Sequence, residues 1–237
     1  MLQLAPDLPR LIRWAEARHL LHARLEDDLG YALHAVLRAA FDTLAPAPFA
    51  LIRHPSRAPT LLAYSAHPAI ALREQAAAFA EPDVAAAIGL PTMADKEMPE
   101  RFPTGRRLGF TLHARPIVRT DRDGNRDRTR ERDAFLAAIA DTEPGKGPSR
   151  GEVYFAWLTA RLADGGAQTE HLVLDAFRLS TTLRRDSGRK LHPFRGPEAT
   201  FSGVLSVIDP DRFSEMLAGG VGRHRAFGFG MLLLKPV

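Results

Sequence analysis

Three residues in the first fifth of the chain combine proton-transfer groups with a positive charge at helical spacing. Tyr31, His34 and Arg38 are separated by three and four positions, so one face of a helix would bring their side chains together. A phenol and an imidazole can exchange protons with a substrate, and a guanidinium pairs with phosphate. The spacing therefore indicates chemistry at a phosphate, with an exposed histidine that has no role as the alternative.

A glycine-rich basic segment, residues 219–235, lies close to the end of the chain. It holds five glycines, two arginines and a histidine, followed by a short apolar run. Glycine lacks a Cβ, so a partner can approach the backbone N–H groups, and arginine forms paired hydrogen bonds with phosphate. A nucleotide-cofactor fingerprint would follow a strand and open a helix, whereas these glycines precede a predicted strand. The segment favours contact with nucleic acid over a nucleotide cofactor, and an exposed glycine turn is the alternative.

The positive charge of the chain is concentrated in two stretches. The formal net charge is +4 overall, but residues 101–132 carry ten arginines against four acids, and residues 184–195 carry five bases against one. Clustered arginine favours phosphate through bidentate pairing and counterion release. Arginine-rich exposed loops in a chain of biased composition are the alternative explanation.

Composition excludes several classes of protein. The chain of 237 residues is 45% hydrophobic and has no cysteine, which excludes a disulfide framework and a thiolate metal site. No paired carboxylates and no His/Asp/Glu metal pattern occur at recognisable spacing. No signal peptide and no apolar run of membrane-spanning length is present. We expect a soluble cytoplasmic protein that contacts no membrane and uses neither a metal nor a small-molecule cofactor.

The elements that must position these residues follow from hydrophobic periodicity. In the first part of the chain the pattern predicts a strand at 1–5, a helical segment at 9–25, and a helix capped by Asp27 or Asp28. The apolar stripe of that helix runs from Leu29 to Ala40. Strands at 49–52 and 60–64 and a helix at 70–79 follow, and the prolines of residues 81–106 indicate a linker or a long connection.

The second part of the chain repeats this order of elements. It begins with a strand at 108–116 and a charged hairpin, followed by a helix containing Trp157, two strands and a helix capped by Asp209. The glycine-rich segment and its strand come last. Both halves approximate a βαββαβ order. The sequence predicts an α+β protein of two tandem ferredoxin-like domains, an N-terminal one at 1–100 that carries the helix with His34 and a C-terminal one at 101–237.

The chain resembles the CasE type of CRISPR RNA-processing endoribonuclease, the subunit of the subtype I-E Cascade complex that matures CRISPR RNA. The resemblance covers essentially the whole chain and is carried by the tetrad Tyr31-Ala32-Leu33-His34, the strand 110–116, the helix around Trp157, the basic hairpin, and the ending 220–232. The ending is typical of the repeat-associated (RAMP) proteins. Residues 9–25 and 133–150 are additions to the family pattern.

The resemblance implies a metal-independent endoribonuclease that cuts the CRISPR repeat hairpin in the precursor transcript. The 2′-hydroxyl would attack the scissile phosphate, giving a 2′,3′-cyclic phosphate and a 5′-hydroxyl, and the product would stay bound beside the other Cascade subunits. Such a reaction needs a proton acceptor, a proton donor and positive charge. We assign His34 as general acid or base and Tyr31 as its catalytic neighbour, and the order of the two roles stays open.

RNA binding is assigned to the glycine-rich segment, the two arginine-rich stretches and Arg38, which is placed by helical spacing alone. The assigned residues are Arg38, Arg115, Arg119, Arg184, Arg185, Arg189, Lys190, Gly222, Arg223, His224, Arg225, Gly228 and Gly230. One alternative function is a non-catalytic RNA-binding module of the same fold. Another is a small-molecule enzyme with two ferredoxin-like halves.

Overall fold

The computed structural model describes residues 1–21, 29–120, 130–143, 145–185 and 191–237. The predicted caps Asp27 and Asp28 and the end of the predicted segment 9–25 lie outside these residues.

The first sheet is antiparallel and its strands come from the first hundred residues. Its strands are β1 (Leu2–Leu4), β2 (Phe49–His54), β3 (Arg57–Ala63) and β4 (Ala94–Asp95), and they lie in the order β2-β3-β1-β4. Its helices are α1 (Leu8–Ala17), α2 (Gly30–Phe41), α3 (Ala69–Phe79) and α4 (Pro82–Ile88). The first strand therefore pairs with the third and the last, which is the strand arrangement of a ferredoxin-like unit.

The second sheet repeats the arrangement with longer strands. The chain continues through β5 (Arg107–Ala114), the hairpin β6 (Ile117–Thr120) and β7 (Arg130–Asp133), α5 (Ala134–Ala138), α6 (Arg150–Asp164), β8 (Ala167–Arg185), β9 (Leu191–Val207), α7 (Pro210–Gly219) and β10 (Leu232–Lys235). The sheet order is β10-β5-β9-β8, again with the first strand between the third and the last. The predicted fold of two tandem ferredoxin-like domains is confirmed.

Capping side chains begin several helices, one of them at the predicted residue. Asp7 accepts a hydrogen bond from the backbone N–H of Arg10, and Asp209 caps α7 just before Pro210, as predicted. Ser149 and Glu152 form a reciprocal capping box at the start of α6. These local bonds satisfy backbone donors that no helix can satisfy internally.

The predicted linker at residues 81–106 is wrong in its first half. Pro82 opens α4, Gly89 ends it with a φ of 67°, and β4 follows at Ala94. Proline is compatible with the first turn of a helix because no N–H is needed there, so a proline-rich stretch need not be unstructured. The connection between β4 and β5 remains, and we propose the domain boundary near residue 100 within it.

Each unit has its own core, and the contacts that join the units include the burial of Leu183 and a hydrogen bond of Tyr64. The predicted stripe of α2 is buried in the first core, including Leu33, Val36 and Leu37. Leu183, near the end of β8, is buried in that same core, so the long β8–β9 hairpin reaches α2. On the first unit, the Tyr64 hydroxyl donates to the backbone carbonyl of Leu232 in β10 at 2.8 Å. Burial raises the pKa of Tyr64 to about 12.

Replacing Tyr64 with phenylalanine tests this tie between the units. The variant keeps the ring but leaves the Leu232 carbonyl without this donor, so we expect the free energy of unfolding to fall by about 1 to 2 kcal/mol. Urea unfolding followed by circular dichroism measures the change. An unchanged midpoint with an unchanged slope would show that the bond contributes no net stability.

Candidate active site

Helix α2 places Tyr31 and His34 side by side one turn apart. Their ring centroids lie 6.4 Å apart with the planes tilted by 52°, which confirms that the two groups are neighbours. Tyr31 is only 9% exposed and His34 is half-buried. The helix face opposite the apolar stripe is therefore partly covered, which helical periodicity did not predict.

The cover is Phe227, contributed by the glycine-rich segment nearly two hundred residues later. Its ring centroid lies 5.8 Å from that of Tyr31 and 5.5 Å from that of His34, with an edge-on approach to the imidazole. Phe227 ends a short 3₁₀ turn, Arg225–Phe227, between His224 and Gly228, which both have left-handed backbone conformations. The second unit thus closes the candidate site that the first unit carries.

The surroundings of His34 favour its neutral form. Burial, and second the positive charge of Arg38, lower the pKa of the imidazole from its usual value of 6.5. Arg38 is exposed one turn further along α2, and its Nη2 lies 3.4 Å from Oδ1 of Asp42. A neutral imidazole can accept a proton from a hydroxyl, and the adjacent guanidinium can contact an anion.

The glycines of the segment have structural reasons for their identity. A Cβ at Gly230, where φ is 81°, would lie 2.4 Å from the carbonyl oxygen of Val221. The backbone N–H of Gly230 donates a hydrogen bond to the carbonyl of His113 at 2.7 Å. A Cβ at Gly222, where φ is 80°, would meet the Trp157 ring at 3.1 Å. The Gly230 N–H is thus already bonded to a protein carbonyl, and the assignment of Gly230 to RNA binding stays a prediction.

The basic side chains of the segment are held by the protein itself. Arg223 Nε and His224 Nε2 each lie 2.8 Å from a carboxylate oxygen of Glu131, and the His224 side chain is only 4% exposed. Arg225 Nη1 donates to the carbonyl of Gly219 at 2.6 Å. Burial of His224 contradicts its predicted role as a direct RNA contact, whereas Arg223 keeps partial exposure.

The predicted RNA contact of Arg115 is contradicted by the structure, because the Arg115 side chain is fully buried. Its Nη2 donates to Oγ of Ser180 at 2.7 Å, and its guanidinium carbon lies 4.7 Å from the Phe229 ring centroid and 5.6 Å from that of Phe194. Arg115 directly follows β5, and Ser180 and Phe194 of the β8–β9 hairpin cover it. Arg115 therefore packs the interior instead of contacting RNA.

The remaining predicted RNA contacts lie on the surface or outside the described residues. Arg119 is exposed on β6. Arg184 and Arg185 end β8, directly after the buried Leu183, so their backbone lies close to α2. Arg189 and Lys190 lie outside the described residues. Gly228 lies beside Phe49 of β2, at the junction of the two units.

Two residues of the site were missed from the sequence. Phe227 lay within the glycine-rich segment, where an aromatic between glycines was its only signal. Glu131 was counted merely as one of four acids among ten arginines. Within the described part of the chain no three His, Asp or Glu side chains are grouped to hold a metal ion. No helix in those same ranges has the length and apolar character to cross a bilayer.

Comparison with known proteins identifies the family. A family model described as "CRISPR associated protein" matches residues 11–236. The chain belongs to this CRISPR-associated family. A curated member, the CRISPR-associated endoribonuclease Cse3 of Thermus thermophilus, is 29% identical over 140 residues. That alignment spans 56% of this chain and 57% of the relative, so it covers little more than half of either protein.

Solved structures of CRISPR-associated proteins share the whole fold. The structure of Cse3 bound to a 19-nucleotide RNA aligns over 99% of both chains with a TM-score of 0.65 at 19% identity. Cas6e of Escherichia coli aligns over the full length of both chains with a TM-score of 0.52 at 16% identity. A chain of a CRISPR RNA-guided surveillance complex aligns with a TM-score of 0.53 at 17% identity, covering 100% of this chain and 99% of that one. The resemblance to CasE-type proteins is confirmed.

The Arg38 charge can be tested through the titration of His34. Because a nearby positive charge disfavours the imidazolium, Arg38→Gln should raise the pKa of His34, while burial still holds it below 6.5. The pH dependence of the His34 ring signals in NMR measures the shift. Arg13→Gln on α1 removes an equal, exposed charge and serves as the control. A pKa unchanged by Arg38→Gln would contradict this account.

Proposed function

We propose that this protein is an endoribonuclease that cleaves CRISPR precursor RNA within the repeat hairpin. The observation that carries the proposal is the Tyr31 and His34 pair at the junction of the two units, in a chain of the CRISPR-associated family. The names of the similar proteins support it, since Cse3 is an endoribonuclease and is described bound to RNA. The alternative is a protein that binds the hairpin without cutting it.

The chemistry we propose is an internal transesterification without a metal ion. The 2′-oxygen bonds to the scissile phosphorus while its proton passes to a base, and the bond from phosphorus to the 5′-oxygen breaks as that oxygen gains a proton. The products are a 2′,3′-cyclic phosphate and a 5′-hydroxyl. The lowered pKa of His34 suits a neutral imidazole that takes up the 2′-proton at neutral pH. Tyr31, 6.4 Å away between ring centroids, would orient the hydroxyl or share the proton transfer.

The RNA duplex would be held by shape and phosphate contacts on the basic surface near α2. The far end of β8 lies against the first core through Leu183, which brings the backbone of Arg184 and Arg185 toward the candidate site. Double-stranded RNA is recognised mainly by its geometry and backbone. We further propose that the cleaved RNA remains bound and that the protein serves as a subunit of a Cascade-type complex, in line with its similarity to a chain of a surveillance complex.

Cleavage of an end-labelled repeat hairpin in EDTA tests the activity. We expect the wild type to cut once, with a burst that stops near one equivalent because the product stays bound. His34→Ala should lose about 10²–10⁴ in rate, since this is the usual contribution of a proton-transfer group. His67→Ala, which alters a histidine away from α2, should cut at the wild-type rate.

Two results would contradict this mechanism. A requirement for a divalent metal ion in cleavage would contradict the proposed metal-free reaction. Binding without cleavage by the wild type would favour the non-catalytic alternative. Binding of the hairpin must be measured on both variants, so that a loss of affinity is not read as a loss of chemistry.

The arginines at the end of β8 should contribute to affinity and not to chemistry. Replacing Arg184 and Arg185 together with alanine should weaken hairpin binding and reduce the dependence of log Kd on log salt by about 1 to 2, because up to two phosphate contacts are lost. Filter binding between 50 and 300 mM salt, roughly the range over which such contacts are screened, measures the slope. A slope equal to that of the wild type would exclude phosphate contacts by these residues.

A further inference from the structure

Glu131 is a buried carboxylate in the middle of the basic region. Its side chain is 8% exposed, and its two oxygens each lie 2.8 Å from a donor, Arg223 Nε and His224 Nε2. A buried carboxylate is stable only when paired and hydrogen-bonded, and this one binds two consecutive residues of the glycine-rich segment. It therefore links the β6–β7 hairpin to the segment that covers the candidate site.

The strand that carries Glu131 is itself firmly held. Asp133 lies two positions along β7, so its side chain projects from the same face of the strand as that of Glu131. Asp133 accepts hydrogen bonds from the Tyr154 hydroxyl at 2.9 Å and from Arg150 Nη1 at 2.6 Å. Both donors belong to α6, so Glu131 is presented from a strand anchored to the second core.

The hydrogen bonds of Glu131 hold Arg223 and His224, directly before the turn that carries Phe227 toward α2. His224 has a φ of 58°, a left-handed conformation that is unfavourable for a residue with a side chain, and it begins the 3₁₀ turn that ends with Phe227. Its ring is also stacked on Phe194, with centroids 5.2 Å apart and planes 17° from parallel. Phe227 then lies 5.5 Å from His34, so a change in the turn reaches the imidazole directly.

We propose that Glu131 is a positioning residue that holds Phe227 against Tyr31 and His34. The inference rests on the proposed ribonuclease function, and it accounts for an acid in a region that binds phosphate. A carboxylate there repels RNA and neutralises the charge of Arg223, so it works against affinity. The contribution of Glu131 is to the geometry of the site, so its removal should slow cleavage without weakening binding.

Glu131→Ala tests this with three measurements on the full chain. Single-turnover cleavage at saturating protein should fall about ten- to a hundredfold, as expected when a catalytic group is misplaced by about 1 Å. The Kd for the hairpin should be unchanged or lower, with a steeper salt dependence because Arg223 gains freedom to contact phosphate. The pKa of His34 measured by NMR should rise toward 6.5 as Phe227 moves away and the imidazole becomes more exposed.

Two further variants distinguish the positioning of Phe227 from the effects of a lost negative charge or of unfolding. Glu131→Gln keeps one acceptor oxygen and the side-chain shape, so it should retain more cleavage than the alanine variant. Glu74→Ala removes an equal charge from the exposed face of α3 and should leave cleavage and the His34 pKa at wild-type values. If Glu131→Ala does not fold, the same three measurements on Glu131→Gln decide the question.

The outcomes distinguish this inference from the proposed function. Wild-type cleavage and an unchanged His34 pKa in folded Glu131→Ala would overturn the positioning role. Equal losses of binding and cleavage together with a lower melting temperature would also overturn it, because they indicate a merely structural residue. A wild type that does not cleave would overturn the proposed function, and the His34 titration in the variants would still test whether Glu131 holds Phe227 in place.

Discussion

The packing of Phe227 on Tyr31 and His34 is the contact on which the candidate site depends. Helix α2 uses its apolar stripe to build the first core, so its other face would remain in water if the first unit stood alone. The loop between α7 and β10 of the second unit covers that face with an aromatic ring. Partial exclusion of water then lowers the pKa of His34, which gives the imidazole its neutral form.

The covering loop is fixed by polar and backbone contacts in addition to its buried side chains Val221 and Phe229. Gly230 donates to the carbonyl of His113 in β5 and accepts from the N–H of Val221, at a spacing that admits no side chain. Glu131 binds Arg223 and His224 from the opposite side. Glycine here provides close backbone packing, and the loop is a constrained element rather than a flexible arm.

Several arginines form hydrogen bonds within the protein and are not free to bind a ligand. Arg115 is buried against Ser180 and two aromatic rings, and Arg150 binds Asp133 and Tyr154 in the second core. On the surface, Arg107 forms a bidentate pair with Glu170. A concentration of positive charge in the sequence thus overstates the positive charge exposed on the surface, because a guanidinium can be buried where acceptors and aromatic faces compensate its desolvation.

The sequence by itself determined most of the secondary structure, the two ferredoxin-like units and the pairing of Tyr31 with His34. These depend on interactions between residues close in the chain: helical spacing, the cap at Asp209, and the apolar stripe of α2. It also contained the motifs that mark the CRISPR-associated family. Local pattern failed at residues 82–95, where prolines open helices instead of marking a linker.

Only the tertiary structure decided which basic residues face a ligand and what covers the site. Phe227 meets His34, and Glu131 meets Arg223, across separations of more than ninety residues, and no periodicity relates such positions. Arg115 is fully buried because Ser180 and Phe194 of the distant β8–β9 hairpin pack against it. Burial is a property of the packed chain, and it decided which charges are neutralised, which rings exclude water, and how readily His34 is protonated.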